Sequence, residues 1–265
     1  MLSKNKIKFI NSLIKKKHRK EQGLFIAQGT KLVLELLGEG AHATLLCATP
    51  QWFENNPTKT ASKITEQIEV TEQELRKIST LKTPPEVVGI FAMPKITRYE
   101  DDLAGQLSLV LDRINDPGNL GTIVRLADWF GIENMICSDD SVDLYNPKTV
   151  QSTMGSIARV KVTYTSLPDF LEPWSRQPGF DVYGCFLEGE NLYRAPLHNK
   201  GMIVMGSESH GISRELWPYI NRRIYIPAFH ASSPTSAESL NVSMAAGIVC
   251  AEFRRRQWLG ANHSK

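Results

Sequence analysis

From residue 107 onward the chain alternates short apolar runs with helical segments, and this alternation limits its fold more than any other feature. LSLVLDRI, ENMICS, VYGCFLEG, GMIVMG and RRIYIPA read as strands. NLGTIVRLADWF, LPDFLEPW, SRELWPYI and SLNVSMAAGIVCAEFRRRQW read as the helices that separate them. Strands alternating with helices predict an open parallel sheet with helices on both faces.

The first part has a smaller α/β pattern. In SKNKIKFINSLIKKKHRK, Ile7, Ile10, Leu13 and Ile14 stand at helical spacing within a lysine-rich frame, which predicts one amphipathic helix. LFIAQG, LLCAT and VVGIFAM read as strands and TKLVLELLGEG as a helix. ITEQIEVTEQELRKIST reads as a strand, then a helix capped at Thr71 with Glu74 completing a capping box. We therefore expect a domain over 1–98, a linker over 99–106 and a second domain over 107–265.

The net charge of +3 hides an asymmetry, since residues 1–98 carry +7 and the remainder −4. A basic first part suggests contact with a polyanion, and Lys15, Lys16, Lys17, Arg19 and Lys20 are its candidate phosphate ligands. A lysine-rich surface exposed only to solvent explains the charge equally well. Cys47, Cys137, Cys185 and Cys250 are scattered, which speaks against a disulfide framework or a zinc site, so no metal is expected. No apolar run approaches a membrane span, and the basic N-terminus lacks the apolar core of a signal peptide. The expected location is the cytoplasm.

Three stretches of the second domain join strands to helices through polar or glycine-rich turns. In LDRINDPGNLGTIVRLAD, Asn115, Asn119 and Arg125 lie at or near the C-terminal end of a strand, where ligands sit in open sheets. Asn119 is also a candidate helix cap, and Ile123, Leu126, Ala127 and Phe130 form the expected buried face. In IVMGSESHGISREL a strand runs into a turn in which Gly206 permits close backbone approach and which carries Glu208. That turn lacks the pattern of a dinucleotide or P-loop site. In IPAFHASSPTSAESLNVSMAAGIVCAEFRRR a strand ends at Pro227 and a long helix begins at Ser239, with Leu240, Met244, Ile248 and Ala251 expected on its buried face. Singly, each stretch has an ordinary structural explanation as cap, turn or surface charge.

Together and in this order the three stretches resemble the signature motifs of the SpoU (TrmH-like) RNA methyltransferases. Asn115, Asp116-Pro117-Gly118-Asn119, Gly121 and Arg125 are similar to the family's first motif, with Asp116 where Asn is common. Gly206, Glu208 and Gly211 match its G-x-E-x-x-G turn. Ile226-Pro227 and Ser239-Leu240-Asn241-Val242-Ser243 match its third motif, with Ala228 in place of the usual Met and a longer loop before Ser239. FIAQGTKLVLELL and TPPEVVGIFAM resemble the substrate-binding domain that precedes the catalytic domain in many members and is itself similar to a small ribosomal RNA-binding protein. Gln28 there replaces the usual Glu.

The resemblance implies an α/β catalytic domain tied in a deep trefoil knot, which no spacing argument would suggest. It implies S-adenosylmethionine as cofactor, bound at Met205, Gly206, Ser207, Ile226 and Leu240. It implies methyl transfer to a ribose 2′-hydroxyl of RNA, ribosomal RNA being favoured over transfer RNA. Arg125 is then the base or a phosphate clamp, and Asn115, Asn119, Glu208, Ser239 and Asn241 complete the catalytic set. A homodimer through the second domain is expected from the small residues Ala245-Ala246-Gly247 and from the family. Rival readings are a transfer RNA 2′-O-methyltransferase, a knotted base methyltransferase, a non-catalytic RNA-binding protein of the same fold, and a nucleotide-dependent oxidoreductase.

Overall fold

The computed structural model describes residues 2–57, 63–94, 103–229 and 238–262, the side chains of 260–262 excepted. Contacts divide the chain into two units, Met1–Ile96 with Asp143–Arg159, and Thr97–Val142 with Val160–Lys265. The first unit thus takes in a segment that the sequence places inside the second domain. Part of the expected linker, 99–102, lies outside the described residues. No helix among the described residues is long and apolar enough to cross a membrane.

The first unit comprises α1 (Lys4–Ser12), α2 (Lys16–Gln22), β1 (Leu24–Gln28), α3 (Thr30–Gly38), β2 (Ala43–Ala48), α4 (Pro50–Asn55), β3 (Gln67–Glu69), α5 (Glu72–Ile78) and β4 (Val87–Ala92). Its sheet runs β1-β4-β2-β3, with β4 antiparallel to both neighbours and β3 parallel to β2. Ile10, Leu13, Ile26, Leu75, Ile78 and Ile90 share its core. The capping box on α5 forms as expected, Thr71 Oγ1 accepting from the Glu74 N–H and Glu74 from the Thr71 N–H.

The expected single N-terminal helix is two helices. Lys15 is extended, with φ −88° and ψ 129°. The break frees the carbonyls of Leu13 and Ile14, and Arg19 Nη1 donates to both at 2.9 and 2.6 Å. Its Nη2 donates to Asp143 Oδ2 at 2.5 Å, and Arg19 is only 2 % exposed. Arg19 is therefore not a phosphate ligand; its donors serve the helix break and the partly buried Asp143 carboxylate, while Lys15, Lys16, Lys17 and Lys20 are exposed. The segment Asp143–Arg159 belongs to this unit through further contacts. The Tyr145 ring stands 4.9 Å from that of Phe25, and Arg159 bonds Glu35 and Glu39 at 3.0 Å each. It carries α7 (Pro147–Thr153).

The second unit comprises β5 (Leu107–Leu111), α6 (Pro117–Trp129), β6 (Asn134–Ser138), β7 (Lys161–Thr165), α8 (Leu167–Ser175), β8 (Val182–Asn191), β9 (Gly201–Met205), β10 (Arg222–Tyr225) and α9 (Val242–Asn262). All six strands are parallel, in the order β10-β8-β9-β5-β6-β7. Val110, Ile136, Val182, Met202 and Val204 lie in its core. The expected open parallel sheet is present, with one strand more than the sequence reading gave. That strand, β7, lies at the edge and buries little beyond Val162, so its polar KVTYT run carries no apolar signature. SRELWPYI is a 3-10 turn over Arg214–Tyr219 rather than a helix; it holds Pro218, which cannot donate in a helix interior.

In this order, β5, β6 and β7 proceed toward one edge, and the chain then crosses to place β8, β9 and β10 on the other side. The direction reverses between β5 and β9, and such switch points open a crevice at the strands' C-terminal ends. Leu111 and Met205 end the two strands in register, and the Asp112 N–H donates to the Met205 carbonyl at 2.9 Å.

Candidate active site

Each of the three motif stretches brings one side chain to a shared cluster at this switch point. β5 continues into a loop and α6. Pro117 occupies the first turn of α6, and Asp116 caps it, Oδ1 accepting from the Asn119 N–H at 2.8 Å. Asn119 is therefore not the cap, and its side chain is free to point elsewhere. The buried face of α6 is Leu120, Gly121, Ile123, Val124 and Ala127.

β9 ends in a tight turn closed by the Gly211 N–H on the Ser207 carbonyl at 2.8 Å. Gly206 is required here, because a Cβ on it would lie 2.1 Å from the Gly211 carbonyl carbon and 2.2 Å from the Ile212 nitrogen. The turn is anchored from β5. Buried Asp112 accepts through Oδ2 from the Ser213 N–H at 2.7 Å and the Ser213 hydroxyl at 2.5 Å. Sequence reasoning missed Asp112 and Ser213, although a carboxylate directly after an apolar strand is itself a sign of a buried polar anchor.

α9 begins at Val242, not at Ser239, and Asn241 is its cap. Asn241 Oδ1 accepts from Ser243 N (3.0 Å), Ser243 Oγ (2.6 Å) and Met244 N (3.3 Å). The buried apolar residues of α9 are Val242, Ala246, Val249, Cys250 and Phe253, whereas Leu240 and Met244 are 48 % and 63 % exposed. The expected face is thus displaced, Ala251 being exposed as well and Ile248 half-buried.

Because the Asn241 oxygen faces the helix N–H groups, its amide nitrogen must point away from them. It donates to Glu208 Oε1 at 2.9 Å and to Asn119 Oδ1 at 3.1 Å. Asn119 Nδ2 in turn donates to Glu208 Oε1 at 2.5 Å. The donor and acceptor ends of both amides follow from this chain of bonds. Three residues separated by 89 and 33 positions thus form one closed polar cluster. The Glu208 carboxylate bonds to a residue in the first turn of α6 and to the cap of α9, so the positive ends of two helix dipoles favour its charge.

The remaining expected site residues do not join the cluster. Met205 and Ser207 are buried, and Gly206 and Ile226 half-buried; Ile226 follows the end of β10 at Tyr225. Asn115, Ser239 and Arg125 are exposed, and none of them hydrogen-bonds to the cluster. The loop before Ser239 that is longer than usual includes 230–237, outside the described residues.

A polar cluster at the switch point of a parallel sheet, fed by a glycine turn and two capped helices, defines a ligand-binding α/β domain of the doubly wound kind. Residues 106–251 match the SpoU rRNA Methylase family, and the chain belongs to that family. Residues 4–89 match the MRM3-like substrate binding domain. A TrmH-family protein of Porphyromonas gingivalis is 39% identical, with a TM-score of 0.84 over 97% of this chain and 99% of that one. The AdoMet-bound rRNA methyltransferase of Sinorhizobium meliloti is 32% identical, with a TM-score of 0.83 over 97% and 96%. The 23S rRNA (guanosine(2553)-2′-O)-methyltransferase RlmP of Bacillus subtilis is 28% identical over 94% of this chain and 96% of its own length.

Proposed function

We propose that this protein is an RNA 2′-O-methyltransferase that uses S-adenosylmethionine and acts on ribosomal RNA. The observation that carries the reading is the closed Asn119–Glu208–Asn241 cluster at the switch point of a SpoU-family domain. The names of relatives support ribosomal RNA as the substrate.

The residues present fit the cofactor. The backbone groups of Gly206 and Leu240 hydrogen-bond to no other described residue, so they remain available to an adenine edge. Met205, Ile226 and exposed Leu240 supply apolar surface beside them. When bound, the cofactor supplies an activated methyl group on a sulfonium. The chain's own task is to place the ribose hydroxyl in line and to handle its proton. Asn119 and Asn241, locked by Glu208, present fixed amide dipoles where the ribose enters. Arg125 provides a permanent positive charge, suited to stabilising the developing alkoxide or to holding a neighbouring phosphate. A 2′-hydroxyl requirement also selects RNA over DNA.

Four finer features complete the proposal. The first unit binds RNA through Lys15, Lys16, Lys17 and Lys20, and the second is knotted. The protein is a cytoplasmic homodimer that associates through its second unit. Exposed Trp129 on α6, and Met244, Ala251 and Trp258 at seven-residue intervals on α9, are apolar and support the dimer.

The test incubates the purified protein with labelled S-adenosylmethionine and either ribosomal or transfer RNA, then identifies the labelled nucleoside by mass spectrometry. Label on a 2′-O-methylnucleoside of ribosomal RNA is expected. Label on a base, on transfer RNA alone, or no transfer at all would replace this reading with one of its rivals.

A further inference from the structure

Among the described residues, two that are not glycine have a positive φ, Arg113 at 54° and Met154 at 52°. Met154 closes α7, a helix end where a left-handed residue is ordinary. Arg113 closes no helix. It stands two residues beyond the end of β5, at the mouth of the switch-point crevice. In that conformation a Cβ crowds the following carbonyl, and glycine or asparagine takes it more readily.

The surroundings hold this turn through backbone groups rather than through the arginine side chain. The Arg113 N–H donates to Ser138 Oγ at 2.8 Å and the Ile114 N–H to Ser141 Oγ at 3.1 Å. The Val142 N–H donates to the Ile114 carbonyl at 2.8 Å. Glycine would make the same bonds without the crowding. The turn therefore does not account for the arginine side chain.

Contacts within the protein do not account for it either. Arg113 Nε is buried and has no hydrogen-bond partner among the described residues. The nearest carboxylate oxygen, Asp112 Oδ1, is 3.6 Å away, beyond hydrogen-bond range, and the other oxygen of Asp112 serves Ser213. The side chain as a whole is 40% exposed. It carries a charged, planar donor fork to which no described residue offers a hydrogen-bond acceptor, on the same loop as Asn115 and the cap of α6.

We infer that Arg113 grips a phosphate of the RNA strand next to the ribose presented to the Asn119–Glu208–Asn241 cluster. The guanidinium fork matches phosphate geometry, and a phosphate would satisfy the orphaned Nε. The inference rests on RNA being the substrate, as proposed above. Arg113 is a positioning residue for that substrate, separate from the charge stabilisation assigned to Arg125.

The test is Arg113→Gly, because glycine suits the backbone and removes only the side chain. The thermal midpoint is expected to stay level or rise, and cofactor affinity to be unchanged. The KM for RNA should rise by about ten- to a hundredfold, the scale of a lost hydrogen bond to a charged group. The slope of log affinity against log salt should shrink by about 0.7 to 0.9, the share of one phosphate contact. Arg113→Lys should restore the salt slope but little of the KM. Wild-type RNA affinity and slope in Arg113→Gly would overturn the inference. A fall in thermal midpoint in both Arg113→Gly and Arg113→Asn would also overturn it, since the side chain would then be structural. RNA binding is read without methyl transfer, so failure of the proposed activity and failure of this role are told apart.

Discussion

The amide nitrogen of Asn241 lies 3.1 Å from the amide oxygen of Asn119, joining two helix starts that are 122 residues apart in the chain. Asn241 uses its oxygen to cap α9 and its nitrogen to hold Asn119 and Glu208. One side chain thus couples the stability of a helix to the geometry of the candidate site. A substitution can separate the two roles, because capping needs only an acceptor.

Asn241→Ser keeps a capping oxygen and loses the amide nitrogen. Its thermal midpoint should stay within about 2 °C of wild type, since serine caps nearly as well as asparagine. Its single-turnover methylation rate should nevertheless fall at least tenfold. Asn241→Ala should lose the cap as well, costing about 1 kcal/mol and lowering the midpoint by about 2–4 °C. A serine variant that methylates at the wild-type rate would separate the cluster from catalysis.

The parallel sheet and the segments that build the cluster were legible in the sequence because each carries a local signal. Buried strands are continuously apolar, and Asp116-Pro117-Gly118-Asn119 and Gly206 impose their turns locally. What escaped depends on partners distant in the chain. Nothing near Arg19 announces Asp143, and nothing in the polar KVTYT run announces an edge strand. Asn119 and Asn241 were singled out, but their caps were assigned to the wrong neighbours. Ser, Asn and Asp all cap helices, and only the folded geometry shows which oxygen meets the N–H groups. The face of α9 was misread for a similar reason, because Ala and Gly mark close packing without saying on which side.

The lysine run and Arg19 should behave oppositely. Replacing Lys15, Lys16 and Lys17 with Ala removes exposed charges, so stability should change by less than about 0.5 kcal/mol per site. RNA binding should weaken and its salt slope should fall by roughly two units or more. Arg19→Ala instead removes the donor shared by the partly buried Asp143 carboxylate and two carbonyls, and should cost about 3 kcal/mol. Chemical denaturation and salt-dependent RNA binding read both. An Arg19→Ala protein of wild-type stability would contradict the buried pairing.

Acid should loosen α9. Glu252 is buried, and its carboxyl is held below the usual value of 4.5, first by the hydrogen bond from Arg255 and, against the effect of burial, by that from Arg256. A carboxylate depressed on folding contributes stability above its unfolded pKa and loses it as pH falls through the folded value. Thermal midpoints should therefore drop as pH goes below about 4.5. Glu252→Gln should be less stable than wild type at pH 7, and the gap should close in acid. A gap that stays constant between pH 7 and pH 3 would show that Glu252 contributes no proton-linked stability.

Arg125 remains the sharpest case for the chemistry. Six positions from Asn119 on α6, it lies about 120° away round the helix and makes no hydrogen bond to the cluster. It is exposed, on the side that carries Thr122 and Trp129, and its guanidinium bonds to no described residue. Substituting it breaks no hydrogen bond or ion pair among the described residues, so Arg125→Ala should leave the thermal midpoint and cofactor affinity near wild type. Its single-turnover methylation rate on saturating RNA should fall by about a hundredfold or more, the scale of a lost base or charge stabiliser. Arg125→Lys should recover little of that rate, since a point charge does not reproduce the guanidinium fork. Rate and stability decide the matter together. A slow, stable, cofactor-binding Arg125→Ala enzyme places Arg125 at the reacting ribose or its phosphate, and one with a near-normal rate removes it from the mechanism.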